Sequence, residues 1–189
     1  MRLKEFSENI QKPLVKIGYR PIIWHLMKYY AHFGHKDFIL CLGYKADEFK
    51  KYFLQYDECM SNDFTISESG SKLELKNSDI HDWRITFVDT GIHSNIGQRL
   101  VRVKEYLLDE ELFLANYSDG LTDMNLNEQL EHFRLHNRIA GFLSVKPNLT
   151  YHAVSSLKNC ALVGEMKPFK SCNIRINGGF FILKNNIFE

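Results

Sequence analysis

Cysteine is scarce and unpaired in this sequence. Its four cysteines, Cys41, Cys59, Cys160 and Cys172, form no CxxC motif. That spacing argues against a zinc knuckle or a disulfide scaffold. Cys41 lies inside the apolar run FILCLGY and reads as a buried free thiol. An excess of one charge is also lacking. The formal net charge is +1 at pH 7, which gives no broad field for nucleic acid and leaves room only for a small anion held by a local cluster. No segment reaches the roughly 20 apolar residues of a membrane span. The charged N-terminal residues lead into no apolar signal core. No membrane segment is expected, and the chain reads as cytoplasmic. Several catalytic signatures are missing too. There is no GxSxG elbow, no HExxH pair, no Walker sequence and no dinucleotide GxGxxG. His25 and His32 stand seven apart on one predicted helix, with His35 just after it, and none has a ligand-like context.

What is present is an alternation of helical and extended patterns. Pro21 suits a first helical turn. The run IIWHLMKYYAHFG then predicts a helix ending near Gly34, its stripe of Trp24, Met27, Tyr30 and Phe33 packing on a sheet. KDFILCLGY (36–44) predicts a strand and ADEFKKYFLQY (46–56) a helix. DFTISE (63–68) and SKLELKN (71–77) alternate around Gly70 as a hairpin. Strands follow at 83–91, 111–120 and 138–147, with helices at 96–107 and 126–137. Short strands at 152–157 and 161–166 precede a last one containing NGGFF. Nearly continuous apolar strands separated by helices predict a Rossmann-like α/β fold, with a mostly parallel mixed sheet flanked by helices. In such sheets ligands sit at the turns that follow the strands.

Four stretches carry residue types suited to chemistry. In NYSDGLTD (116–123) a strand delivers Asp119 to a turn, where a carboxylate is placed to hold Mg²⁺ beside phosphates. Asp-Gly is also simply a good turn. Lys12-Pro13, with Arg2 upstream, offers cations for a polyphosphate, although basic residues near a terminus are more often just solvated. VDTGIHSNIGQRL (88–100) is either an ordinary strand–loop–helix link or a loop that presents backbone groups to a base. RINGGFFIL (175–183) has adjacent glycines that let backbone approach a ligand, with Asn177 able to bond sugar hydroxyls. A bulge is the plain alternative.

In this order and spacing, QKPLVKIGYRPIIWHLMKYY (11–30), DFILCLGYK (37–45), DWRITFVDTG (82–91), GQRL (97–100), NYSDG (116–120) and INGGFF (176–181) resemble the sugar-phosphate nucleotidyltransferases, closest to the glucose-1-phosphate cytidylyltransferases. The likeness covers essentially the whole chain. It implies a nucleotide-diphospho-sugar transferase fold, with residues 1–189 as one catalytic domain. It implies Mg²⁺ as cofactor, and a nucleoside triphosphate (CTP favoured) and a sugar 1-phosphate as partners, with no nucleic acid or membrane. A homo-oligomer is left open. The sugar phosphate would attack the nucleotide α-phosphorus to give an NDP-sugar and pyrophosphate, in the setting of polysaccharide biosynthesis.

By resemblance, Arg2 and Lys12 are catalytic and nucleotide-binding, Gly97 and Gln98 read the base, and Asp119 binds the nucleotide and its metal. Lys167, Asn177 and Gly178 would serve the sugar phosphate, with Lys170 as an alternative to Lys167 because GEMKPFKSC departs from the usual Glu-Lys-Pro. In the family a first strand and a glycine-rich loop precede the Arg-Leu pair, here Arg2-Leu3, and a later aspartate follows the NGGFF strand. The resemblance therefore implies an incomplete domain with strand edges left open, and weak nucleotide binding with little or no turnover by residues 1–189. A non-catalytic homologue that binds nucleotide or sugar phosphate, or an inactive fragment, is the alternative.

Overall fold

A computed structural model describes residues 10–157 and 162–189. The described chain enters through a 3-10 turn at Lys12–Leu14, whose buried Pro13 fixes the backbone. β1 (Lys16–Ile17) and β2 (Arg20–Pro21) make a small antiparallel hairpin. Gly18 turns it in the left-handed region, at φ +65°. α1 (Ile22–His32) follows and buries Ile22, Ile23, Leu26, Met27 and Tyr30, the three-and-four spacing of one helical face. The expected packing stripe is thus present, with Trp24 and Phe33 half-buried at its edges. Next come β3 (Asp37–Leu42), α2 (Ala46–Leu54), β4 (Phe64–Ser67), β5 (Lys72–Leu75), β6 (Arg84–Asp89) and α3 (Ile96–Arg102). They are followed by β7 (Leu112–Asn116), α4 (Leu126–His136), β8 (Ala140–Val145), β9 (His152–Ser156), β10 (Val163–Pro168) and β11 (Ile176–Lys184).

The expected mixed α/β architecture is what the chain adopts. Among the described strands, however, parallel pairing is confined to β3 and β6, in register from Asp37↔Arg84 to Leu42↔Asp89. A parallel pair needs a long crossover, and only here does helical chain (α2) intervene between paired strands of the same direction. β11 lies between β7 and β8 and is antiparallel to both. β4–β5 and β9–β10 are separate antiparallel hairpins. The helix predicted over 96–107 is also divided. α3 stops at Arg102, and Lys104–Leu107 tightens into a 3-10 turn, which brings both Val103 and Leu107 into the core.

Strand alternation builds a core on each face of the sheet. On one face Phe38, Leu40 and Leu42 of β3, Leu112 and Leu114 of β7, and Phe180 and Ile182 of β11 pack with α1, Phe49 of α2, and Leu126, Leu130 and Phe133 of α4. On the other, Ile39, Cys41, Phe113, Phe181 and Leu183 meet Val103 and Leu107. Cys41 is a free thiol as expected, but half-buried rather than fully so. Burial raises its pKa, and the Arg99 charge partly opposes that rise.

β3 and β7 do not pair with each other. Each uses one edge only, β3 toward β6 and β7 toward β11. Between them runs a cleft of about 1770 Å³ lined by residues of both strands and of α1. Half the backbone groups of such strands point away from their single partner among the described residues.

Candidate functional site

The polar end of this cleft lies where β3 and β7 end. The strand β7 carries the chain to Asn116 and then into the turn holding Asp119, closed by Gly120 N–H donating to the Tyr117 carbonyl at 3.5 Å. The Asp119 carboxylate is exposed, and no described side chain pairs with it. Lys12 reaches the same cleft from the entry turn. The neighbouring Gln11 holds that turn in place by donating from Nε2 to the Tyr44 carbonyl at 2.8 Å, beyond the end of β3. The Lys12 ammonium is exposed and has no acidic partner among the described residues. Asn116 also lines the cleft. Its Nδ2 is buried without a hydrogen-bond partner among the described residues, and an unsatisfied buried donor is costly unless a ligand or water completes it.

A second cation belongs here that sequence patterning did not single out. Arg99 of α3 lines the cleft. Its Nη1 donates to the Leu42 carbonyl at 3.0 Å and to Thr90 Oγ1 at 2.6 Å. The same carbonyl accepts from Thr90 N–H at 2.8 Å and from Thr90 Oγ1 at 2.7 Å. These bonds tie the carboxyl ends of β3 and β6 to α3. Gly43 makes room for the guanidinium, since a Cβ there would stand 2.6 Å from Arg99 Nη2. The signal in the sequence was the Asn-x-x-Gln of Asn95 and Gln98. It marks a helix start and places Arg99 one turn on.

That same box changes how Gln98 is seen. Its backbone N–H donates to Asn95 Oδ1 and its side-chain Oε1 accepts from Asn95 N–H, each at 2.9 Å. Gln98 thus caps α3, and Gly97 meets only ordinary contact, 3.6 Å from a notional Cβ to Asn95 Oδ1. Neither lines the cleft, whereas their neighbours Ile96 and Arg99 do.

Asn177 and Gly178 sit where β11 breaks register with β8, between Asn177 and Phe181. This bulge is locked to the Asp119 turn. Tyr117 N–H donates to the Gly179 carbonyl at 3.1 Å, and Gly179 N–H donates to Asn177 Oδ1 at 2.8 Å. Gly179 is left-handed at φ +81°, and a Cβ on it would stand 2.8 Å from the Tyr117 ring. Lys167 is elsewhere. It lies on β10, paired with Glu165 at 3.1 Å, and lines a separate pocket of about 380 Å³ with Cys172 and Asn173. The Glu165 carboxylate raises its pKa. Lys170 is exposed in the following 3-10 turn. Arg2 lies outside the described residues. The structure therefore gathers Lys12, Asn116, Asp119 and Arg99 at one cleft, with Asn177 and Gly178 joined to it through Tyr117.

No protein-family model matches the chain. The glucose-1-phosphate cytidylyltransferase of Salmonella typhimurium is 37% identical over 188 residues, which span 100% of this chain and 72% of that protein. The chain belongs to the sugar-1-phosphate nucleotidyltransferase family. Within that family a probable glucose-1-phosphate cytidylyltransferase of Bacillus subtilis is 34% identical over 188 residues, with the same coverage of 100% and 72%. The nucleotidyltransferase fold is shared with HddC from Yersinia pseudotuberculosis, crystallised with GMP-PN. The TM-score is 0.64 at 19% identity, over 98% of this chain and 72% of HddC. No helix among the described residues is long and apolar enough to cross a membrane.

Proposed function

We propose that the chain is the catalytic domain of a cytidylyltransferase, which transfers CMP from CTP to glucose 1-phosphate and releases pyrophosphate. The observation that carries this reading is the pair of opposite charges, Lys12 and Asp119, unpartnered among the described residues, on one cleft of a chain with cytidylyltransferase relatives. In the reaction a phosphate oxygen of the sugar 1-phosphate bonds to the α-phosphorus of CTP. The α–β bridging bond breaks, and its electron pair leaves with pyrophosphate. No covalent enzyme intermediate is needed, so the protein contributes placement and neutralisation of charge.

Lys12 binds triphosphate oxygens as a point charge, and Arg99, held by the Leu42 carbonyl, presents a guanidinium to phosphate. Asn177 and the Gly178 backbone orient the sugar. Mg²⁺ fits the donor set. Among the described residues no group of three or more His, Cys, Asp or Glu side chains surrounds a metal position, but Mg²⁺ keeps waters and needs only one or two carboxylates plus substrate phosphates. Asp119 would hold it, and the bound ion would neutralise charge on the phosphates. Lys167, in its own pocket, or Lys170 beside it serves the sugar phosphate, and Gln98 contributes to base reading through the backbone it caps.

Thermal shift and product analysis of the purified chain test this reading. CTP with Mg²⁺ is expected to stabilise the protein more than UTP, GTP or dTTP, with at most slow formation of CDP-glucose when glucose 1-phosphate is added. An equal response to all four nucleotides, or none to any, overturns it. Lys12→Gln is expected to weaken CTP binding about tenfold or more, close to 1.4 kcal/mol, with or without Mg²⁺. Asp119→Asn is expected to remove only the part of the binding that Mg²⁺ adds.

A further inference from the structure

α4 carries a pair of groups that the nucleotidyltransfer chemistry does not use. His132 and His136 stand one turn apart on its solvent face, and both are exposed. Residues spaced by four on a helix face each other, and the two imidazoles do so here, with ring centroids 4.2 Å apart and planes inclined at 34°. The Nδ1 of His136 lies 2.8 Å from the His132 carbonyl. A carbonyl oxygen only accepts, so Nδ1 carries the proton and Nε2 keeps its lone pair for a metal.

The helix beneath them is fixed. Leu126, Leu130 and Phe133 are buried in the core. Asn125 caps the start by accepting from Asn127 N–H at 3.1 Å. Asn137 ends the helix in the left-handed region at φ 45°, and Lys184 Nζ donates to its side chain. The charged groups on and beside α4 are Glu128, which accepts from Asn125 Nδ2 at 2.9 Å, Glu131, Arg134, Arg138, and Lys184, which donates to Asn137.

We propose that His132 and His136 form a surface site for one borderline divalent cation, Cu²⁺ most tightly, then Ni²⁺ and Zn²⁺. Two imidazole nitrogens with water in the remaining positions suit these ions, while Mg²⁺ prefers an all-oxygen set. The site is separate from Asp119, so it stands or falls independently of the cytidylyltransferase reading. Because the spacing exists only in the folded helix, occupancy also stabilises the fold.

Calorimetric titration of the intact chain with CuCl₂, followed by electron paramagnetic resonance of the complex, tests it. One Cu²⁺ site with hyperfine structure from two nitrogens is expected, unaffected by excess Mg²⁺ and by Asp119→Asn. His132→Ala and His136→Ala, both at exposed helix positions that tolerate alanine, are each expected to weaken that site by about tenfold or more. His152→Ala is expected to leave it unchanged. Unaltered Cu²⁺ affinity in the double variant overturns the proposal. So does the absence of a Cu²⁺ binding step in the unmodified chain, or displacement of Cu²⁺ by Mg²⁺.

Discussion

Thr90 has no exposed surface. Its hydroxyl donates to the Leu42 carbonyl at 2.7 Å and accepts from Arg99 at 2.6 Å. Thr90→Val keeps the shape but leaves the Arg99 donor short of a partner in a half-buried place. Such a loss costs roughly 1–3 kcal/mol, so the urea midpoint is expected to fall with an unchanged slope. A second polar centre lies below α1. Arg20 is buried and meets Asp79 at 3.5 Å, while its guanidinium sits 4.0 Å over the Tyr56 ring. Burial pushes the Asp79 carboxyl up, but hydrogen bonds from Ser61 and Tyr56 and the charge of Lys28 outweigh it and hold it below its ordinary value. A lowered folded pKa gives stability that is complete above the unfolded value of about 3.9 and is lost as pH falls through the folded value. Acid unfolding below about pH 4 is therefore expected to flatten in Asp79→Asn, which would also be less stable at neutral pH. Unfolding curves across that range check both. Neither centre was legible in the sequence. Arg20, Ser61 and Asp79 stand far apart in the chain with no local pattern, and only the fold joins them.

α3 depends on its first turn. It spans Ile96–Arg102 and buries none of its own residues, so little tertiary packing holds it and the cap carries more of its stability. Asn95→Ala removes the Asn95 side of the capping box and is expected to cost about 1 kcal/mol, read as a lower melting temperature. Because Arg99 rides on the same helix, this variant is also expected to bind CTP less tightly. The other elements were legible because their patterns were long and locally consistent. α1, β3, α2, the β4–β5 hairpin, β6, β7 and α4 all fall within the predicted segments. What periodicity could not supply was strand direction and partner. β11 is as apolar as β3, yet it pairs antiparallel on both sides. The short β1–β2 hairpin escaped notice because two-residue strands have no periodicity. At the site, Lys12 and Asp119 were legible through Lys-Pro and Asp-Gly. Arg99 was hidden because its position depends on a helix start and on the absence of a side chain at Gly43.

At the scale of the whole molecule, two hydrophobic cores lie back to back across strands that each contribute to both. The cleft runs between β3 of the β3–β6 sheet and β7 of the β7–β11–β8 sheet, and α1, Val103 and Leu107 line it as well as packing in the cores. The β4–β5 hairpin stands apart from these sheets. Below its strand pairing, the stem is closed by side chains. Glu58 accepts from Asp79 N–H at 2.9 Å and from Ser78 Oγ at 3.2 Å, and Ser61 donates to the Asp79 carboxylate. Arg20 reaches both sides of the stem, Ser61 before the hairpin and Asp79 after it. The exposed tip at 68–71 is the natural place for a protease to cut. One cut there severs the chain without freeing either piece, because the knot below it and the β3–β6 ladder hold the two halves across the break. The nicked protein is expected to elute from a sizing column as one species at its original volume, and to separate into two fragments only under denaturing electrophoresis.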